Sequence, residues 1–160
     1  MTYGALPVPL RNGYTFGGWW TGAGGTVAQV TSATLVTITA VQTLYAKWTL
    51  MTTSQGTPYL WLDQYGVVTG DNYEAAALAD VDGDGHVAWQ EYVTGSVPTN
   101  RDSVLRSVIS VDNGTPWVTW TPDLGSARVY TVDGMTNLNE AVWGPTNTAS
   151  RFFRVKVDMP

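Results

Sequence analysis

The stretch from Asp80 to Glu91, DVDGDGHVAWQE, constrains this chain more than any other part of it. Carboxylates fall at its first, third, fifth and twelfth positions (Asp80, Asp82, Asp84 and Glu91), with Gly85 at the sixth and the apolar Val87 at the eighth. So many carboxylates in so short a run repel one another unless a cation sits among them. Calcium is hard and takes six to eight oxygens in a flexible geometry, which suits alternating Asp side chains, a backbone carbonyl and a bidentate Glu arriving on the next helix. His86, at the seventh position, is expected to give only its backbone oxygen, and Ala88 has no side-chain ligand, so a water is expected in its place. Magnesium demands tighter octahedral geometry and resists dehydration, so the pattern favours calcium.

This is the ligand pattern of an EF-hand loop. The plainer reading is a polar Asp-Gly turn, but the full set of diagnostic positions and the helix signals on both sides favour a metal site. Sensor proteins pair two such loops around an apolar groove that is often Met-rich. Here there is one complete loop and four scattered Met, so the expected role is structural. Calcium at a hundredfold excess over its dissociation constant adds about 2.7 kcal/mol to a fold.

Helix signals surround the loop. Thr57 is the predicted N-cap of a helix with Pro58 at its first position, and Gly66 supplies a left-handed stop after YLWLDQY. Asp71 is the predicted N-cap of a second helix, with Glu74 completing a capping box ahead of AAALA. A third short helix, AWQEYV, is expected to end at Gly95. Elsewhere the period is two. GYTFGGWW and TLYAKW read as strands before residue 50, and VLRSVISV, PWVTW, ARVYTV and RFFRVKV as four more after Ser103, spaced by Asp-Asn-Gly and Pro-Asp-Leu-Gly turns. In the last strand Phe153, Val155 and Val157 share one face and Arg154 and Lys156 the other, so one buried and one wetter face are expected.

Composition narrows the classes. With 0 Cys, disulfides and zinc-thiolate sites are excluded, and only 13% of residues are charged. The net charge of -5 argues against general nucleic-acid binding, and without the four loop acids the remainder carries -1, so the acidity is local. No apolar run is long enough to span a bilayer, and residues 1 to 30 lack the pattern of a signal peptide. The chain is therefore expected to be part of a longer exported protein, extracellular or at the cell surface.

Residues 3 to 49 resemble the Listeria-Bacteroides repeat, also called the internalin B-repeat, through YGALPVP, Arg11, GYTFGGWW, the Gly24–Gly25 turn and TLYAKW. The resemblance implies a small β-grasp-like module of bacterial surface proteins. Its opening strand and hairpin would lie before Tyr3, so Met1 is read as a late start. Residues 58 to 102 look like the single-loop calcium segments of secreted bacterial proteins, related to thrombospondin type 3 and dockerin repeats. There a GTDPTN string follows the loop, and here it reads GSVPTN, leaving a second calcium site near Asn100 and Asp102 open. The C-terminal part is similar to the small β-modules that end many such proteins.

The expected architecture is α+β: a truncated β-grasp-like repeat (1–50), a linker (51–57), a helical EF-hand-like calcium segment (58–102) and a C-terminal antiparallel β-module (103–160). The expected function is a structural calcium-binding, non-enzymatic module for adhesion, display or spacing, whose partner is a cell-surface protein or glycan. An alternative is sugar stacking on Trp19, Trp20 and Trp117, although Trp in small β-modules is more often core. Another is a secretion or anchoring tail. Catalysis has little footing: His86 sits alone inside the loop, and Asp123, Asp133 and Glu140 read as turn acids rather than a glycosidase pair.

Overall fold

The computed structural model of the protein describes residues 1–136, 143–146, 150 and 152–160. It is α+β, built of small antiparallel sheets and short helices, and it divides into two compact units, 1–64 and 65–160.

In the first unit, strands β1 (Tyr14–Gly22), β2 (Thr26–Val30) and β3 (Tyr45–Leu50) form an antiparallel sheet in the order β2-β1-β3. The Ala23-Gly24-Gly25 turn works because both glycines adopt positive φ, +70° and +80°. Between Phe16 and Trp19 the β1–β3 register shifts. The shift lets Trp19 meet Phe16 edge-on, with ring centroids 5.6 Å apart, while Phe16 also packs on Trp48 at 5.5 Å. Trp20, the next residue, lies instead under Lys47, whose Nζ is 5.2 Å from its ring centre. The stretch 51–57, expected as a linker, runs as a hydrogen-bonded turn. The Thr53 N–H donates to the Thr57 carbonyl at 2.9 Å, and both threonines are buried.

Helix α1 (Tyr59–Tyr65) follows, and Gly66 takes the left-handed conformation predicted for its stop. The side-chain cap expected of Thr57 is not made: its Oγ1 is buried without a partner, because the turn to Thr53 fixes the residue's orientation. The cap of α2 (Tyr73–Ala77) is also displaced by one residue. Gly70 and Asp71 are consecutive left-handed residues that turn the chain, and Asn72 caps the helix, its Oδ1 accepting from the Ala75 N–H at 3.0 Å.

Helix α3 (Ala88–Thr94) ends at Gly95 in the left-handed conformation, as the sequence predicts. Its first turn is closed by Gln90, whose Oε1 accepts from the Val87 N–H at 3.1 Å. Strands β4 (Arg106–Asp112) and β5 (Thr115–Thr121) form a hairpin through Asn113 and Gly114, both at positive φ, the arrangement that Asn-Gly turns favour. Strands β6 (Val129–Met135), β7 (Gly144–Pro145) and β8 (Phe152–Asp158) form a second sheet in the order β7-β6-β8. Phe153, Val155 and Val157 are half-buried while Arg154 and Lys156 are exposed, matching the alternation of the sequence. Within this unit α3 packs against α2 and against β8. Among the described residues, the buried apolar side chains here are few and mostly small: Ala76, Ala77, Ala88, Pro98 and Met135. Alanine side chains contribute little hydrophobic free energy, at about 25 cal/mol for each Å2 of apolar surface removed from water.

Candidate metal centre

The acidic loop joins α2 to α3, and its mouth is closed by a backbone hydrogen bond from the Ala88 N–H to the Ala79 carbonyl at 3.0 Å. The carboxylates of Asp80, Asp82 and Asp84 each bring an oxygen to within 4.8 Å of the others. Backbone N–H groups hold them in place. Asp80 accepts from Gly83 (2.8 Å) and Gly85 (3.0 Å), Asp82 from Asp84 (3.2 Å), and Asp84 from His86 (2.7 Å). Gly83 and Gly85, at φ +77° and +97°, permit the tight winding that points these amides inward.

The tethers on Asp82 and Asp84 each use one oxygen and leave the other, whereas Asp80 accepts through both of its oxygens. Asp82 Oδ2 and Asp84 Oδ2 are buried and without a hydrogen-bond partner. Glu91 goes further: its side chain is fully buried, and neither Oε1 nor Oε2 has a partner. Burial, and then the negative charges of Asp82, Asp84 and Asp80, push its carboxyl up to about 7 from the ordinary 4.5. A buried carboxylate ordinarily finds a hydrogen-bond donor or a counter-charge, because leaving it bare costs several kcal/mol. Four orphaned oxygens on three carboxylates, all hard donors, suit a hard cation.

The structure thus brings Asp80, Asp82 and Asp84 together; Glu91 is not part of that 4.8 Å cluster, although its buried carboxyl feels the charge of all three. His86 lies on the solvent side, its Nδ1 3.2 Å from Asp84 Oδ1, so its ring interacts with Asp84 without entering the loop. Near the Asn100–Asp102 segment, the Asn100 side chain accepts the Asp102 N–H at 3.2 Å. Among the acids weighed for catalysis, Asp123 Oδ1 accepts from the Gly125 N–H at 2.9 Å, a turn role. Asp133 is held by Arg154 at 2.8 Å and Lys156 at 3.5 Å, which keep its carboxyl below the usual range, and Glu140 lies outside the described residues.

The Trp candidates are dispersed. The indole N–H of Trp19 donates to the Pro7 carbonyl at 2.7 Å, and that of Trp20 to the Gly17 carbonyl at 3.1 Å. Being consecutive on β1 with different ring partners, they do not form one platform. Trp117 lies in the second unit, on the β4–β5 hairpin, and is 60% exposed.

Two further cationic side chains are not among the predicted site residues. Arg128 reaches the last turn of α3, donating to the carbonyls of Tyr92 and Val93. Arg11 lies over the Tyr14 ring at 3.8 Å. Arg11 is among the residues that carry the repeat resemblance, and residues 1–62 contain no acid to pair with it.

No helix among the described residues is long and apolar enough to cross a membrane. No curated protein and no solved structure matches the chain. Residues 1–47 match the family model of the Listeria-Bacteroides repeat domain, a non-catalytic repeat of bacterial surface proteins, so the first unit is similar to that repeat over most of its length.

Proposed function

We propose that the loop Asp80–Glu91 binds one calcium ion as a structural staple, and that the chain is a non-enzymatic module of a secreted or cell-surface bacterial protein serving adhesion, display or spacing. The observation that carries the metal reading is Glu91, fully buried with both carboxylate oxygens unpartnered beside a cluster of three aspartates. An EF-hand-like ligand set would then comprise side-chain oxygens of Asp80, Asp82, Asp84 and Glu91 with the backbone oxygen of His86. The repeat match over residues 1–47 supports the surface setting.

A bound cation would neutralise carboxylates that otherwise repel one another and would tie the end of α2 to the start of α3. In a unit whose described buried apolar residues are mostly alanines, such a gain is a large share of an ordinary stability of about 5–15 kcal/mol. The test is calorimetric titration of calcium, with magnesium in parallel, into chelator-stripped full chain, alongside melting curves in calcium and in chelator. One site and a raised melting temperature in calcium are expected. Absence of heat and of any shift at millimolar calcium would overturn the reading.

A further inference from the structure

We propose that the first unit carries a peptide-docking cleft, centred on Arg11, for an extended acidic segment of a protein partner. The cleft is open, has a volume of about 600 Å3, and is floored by Tyr14, Phe16 and Trp48, with Val8 to Arg11 along its rim.

Four observations converge on that occupant. The first is charge. Residues 1–62 hold no Asp or Glu and two cations, Arg11 and Lys47, so an acidic partner meets no repulsion within this stretch. The second is the state of Arg11. A turn through Asn12 and Gly13, with the Tyr14 N–H donating to the Arg11 carbonyl at 3.1 Å, folds the guanidinium back over the Tyr14 ring at 3.8 Å and 6.0 Å from the centre of Trp48. It is thereby held in place while its N–H donors meet no carboxylate among the described residues, and a guanidinium so oriented suits bidentate recognition of one.

The third is the rim. Pro7 and Pro9 alternate with Val8 and Leu10 in an irregular stretch, and the N–H groups of Val8 and Leu10 make no hydrogen bond among the described residues. Donors at every second residue are what an extended peptide needs to pair along a chain. The fourth is exposure: Val8 is 73% and Leu10 96% exposed beside the aromatic floor. Two bare aliphatic side chains suit the apolar side chains of a peptide better than the hydroxyls of a sugar. The predicted contacts are therefore a partner carboxylate on Arg11, partner carbonyls on the Val8 and Leu10 amides, and apolar side chains over the aromatic floor.

The test uses the full chain and the labelled peptide acetyl-Val-Glu-Val-Glu-Val-Glu-amide, followed by fluorescence anisotropy and by amide chemical shifts. Its Gln-for-Glu counterpart and an oligogalacturonate serve as competitors. Binding tighter than about 1 mM is expected, with amide shifts at Val8 and Leu10 and weakening by salt. Arg11→Met keeps the aliphatic cover on Tyr14 and is expected to weaken binding about tenfold or more at an unchanged melting temperature. Absence of binding, equal binding by Arg11→Met, equal competition by the Gln peptide, or tighter binding of the oligogalacturonate would each overturn the proposal. Because the site lies outside the acidic loop, the result stands apart from calcium: failure here leaves the metal reading intact, and failure of calcium binding leaves this one testable in chelator.

Discussion

The guanidinium of Arg128 donates to the backbone carbonyl of Tyr92 at 2.5 Å and lies 5.0 Å from the centre of the same residue's ring. With the second donation, from Nε to the Val93 carbonyl at 2.6 Å, a cation from the residue that precedes β6 caps the C-terminal end of α3. The last carbonyls of a helix lack intrahelical partners and carry the negative end of its dipole, so a cation there satisfies both needs. Since Glu91 is on α3, this contact joins the candidate metal centre to the C-terminal sheet.

Replacing Arg128 by Met removes the charge-assisted hydrogen bonds while keeping an unbranched side chain. A loss of about 1.5–3 kcal/mol is expected in urea unfolding. Lys at the position keeps the charge and loses the fork, so Arg128→Lys should recover only part of it. Full recovery by Lys would mean that charge alone matters.

The two left-handed glycines at helix ends separate backbone strain from packing. A Cβ on Gly66, at φ +65°, meets nothing within 4 Å, whereas one on Gly95, at φ +79°, would come within 2.6 Å of the Leu124 side chain. Gly66→Ala is expected to cost about 1 kcal/mol, the left-handed penalty alone. Gly95→Ala is expected to cost more, by about 1–3 kcal/mol for the overpacking. Equal losses in thermal melts would show that Leu124 moves aside freely.

Asp133 predicts a response to acid. Hydrogen bonding to Arg154, with the charges of Lys156 and Arg154, keeps its carboxyl below the ordinary 3.8, so the folded state holds the proton less tightly than the unfolded chain. The contribution is therefore complete above the ordinary range and is lost as pH falls below 3.8 through the lowered folded value. Asp133→Asn should lower the urea midpoint at pH 7 and have a progressively smaller effect as pH falls below the ordinary 3.8, where the difference in proton binding between the folded and unfolded wild type removes its advantage. A gap that stays constant across that range would assign the loss to packing.

Short-range grammar was legible in the sequence, and long-range geometry was not. The Asn-Gly turn, the alternation of β8 and the left-handed stops at Gly66 and Gly95 are local choices of φ or of side-chain period, and each stands where the residues indicate. Asp71 misled because Asp suits both caps and left-handed turns. The preceding Gly70 set the turn, and Asn72 took the cap. The register shift in β1 depends on how Phe16 and Trp19 pack with β3, so the separation of Trp19 from Trp20 could not be read from their adjacency. Arg128 meets its carbonyls across about 36 residues, a pairing that no pattern announces. The candidate site lies between these cases: its spacing is visible in the sequence, but the burial of Glu91 with two orphaned oxygens is a property of the fold.

That burial makes the effect of Glu91→Gln depend on the medium. In chelator the buried carboxyl titrates near 7 when folded and near 4.5 when unfolded, so between these values the folded state binds more protons. Stability of the metal-free protein should accordingly fall as pH rises from about 4.5 to about 7 and level off above it. The Gln variant has no proton to lose, so its stability in chelator should be flatter over that window and should equal or exceed the wild type's near pH 8. In calcium the order should reverse, because the wild-type carboxylate gains a counter-charge and the neutral amide is a poorer ligand. Melting temperatures of both proteins, in chelator and in calcium across pH 5 to 8, are the measurement. Crossing of the two curves between media ties the orphaned carboxylate to the cation. A variant less stable by the same amount in both would mean that Glu91 is held by packing.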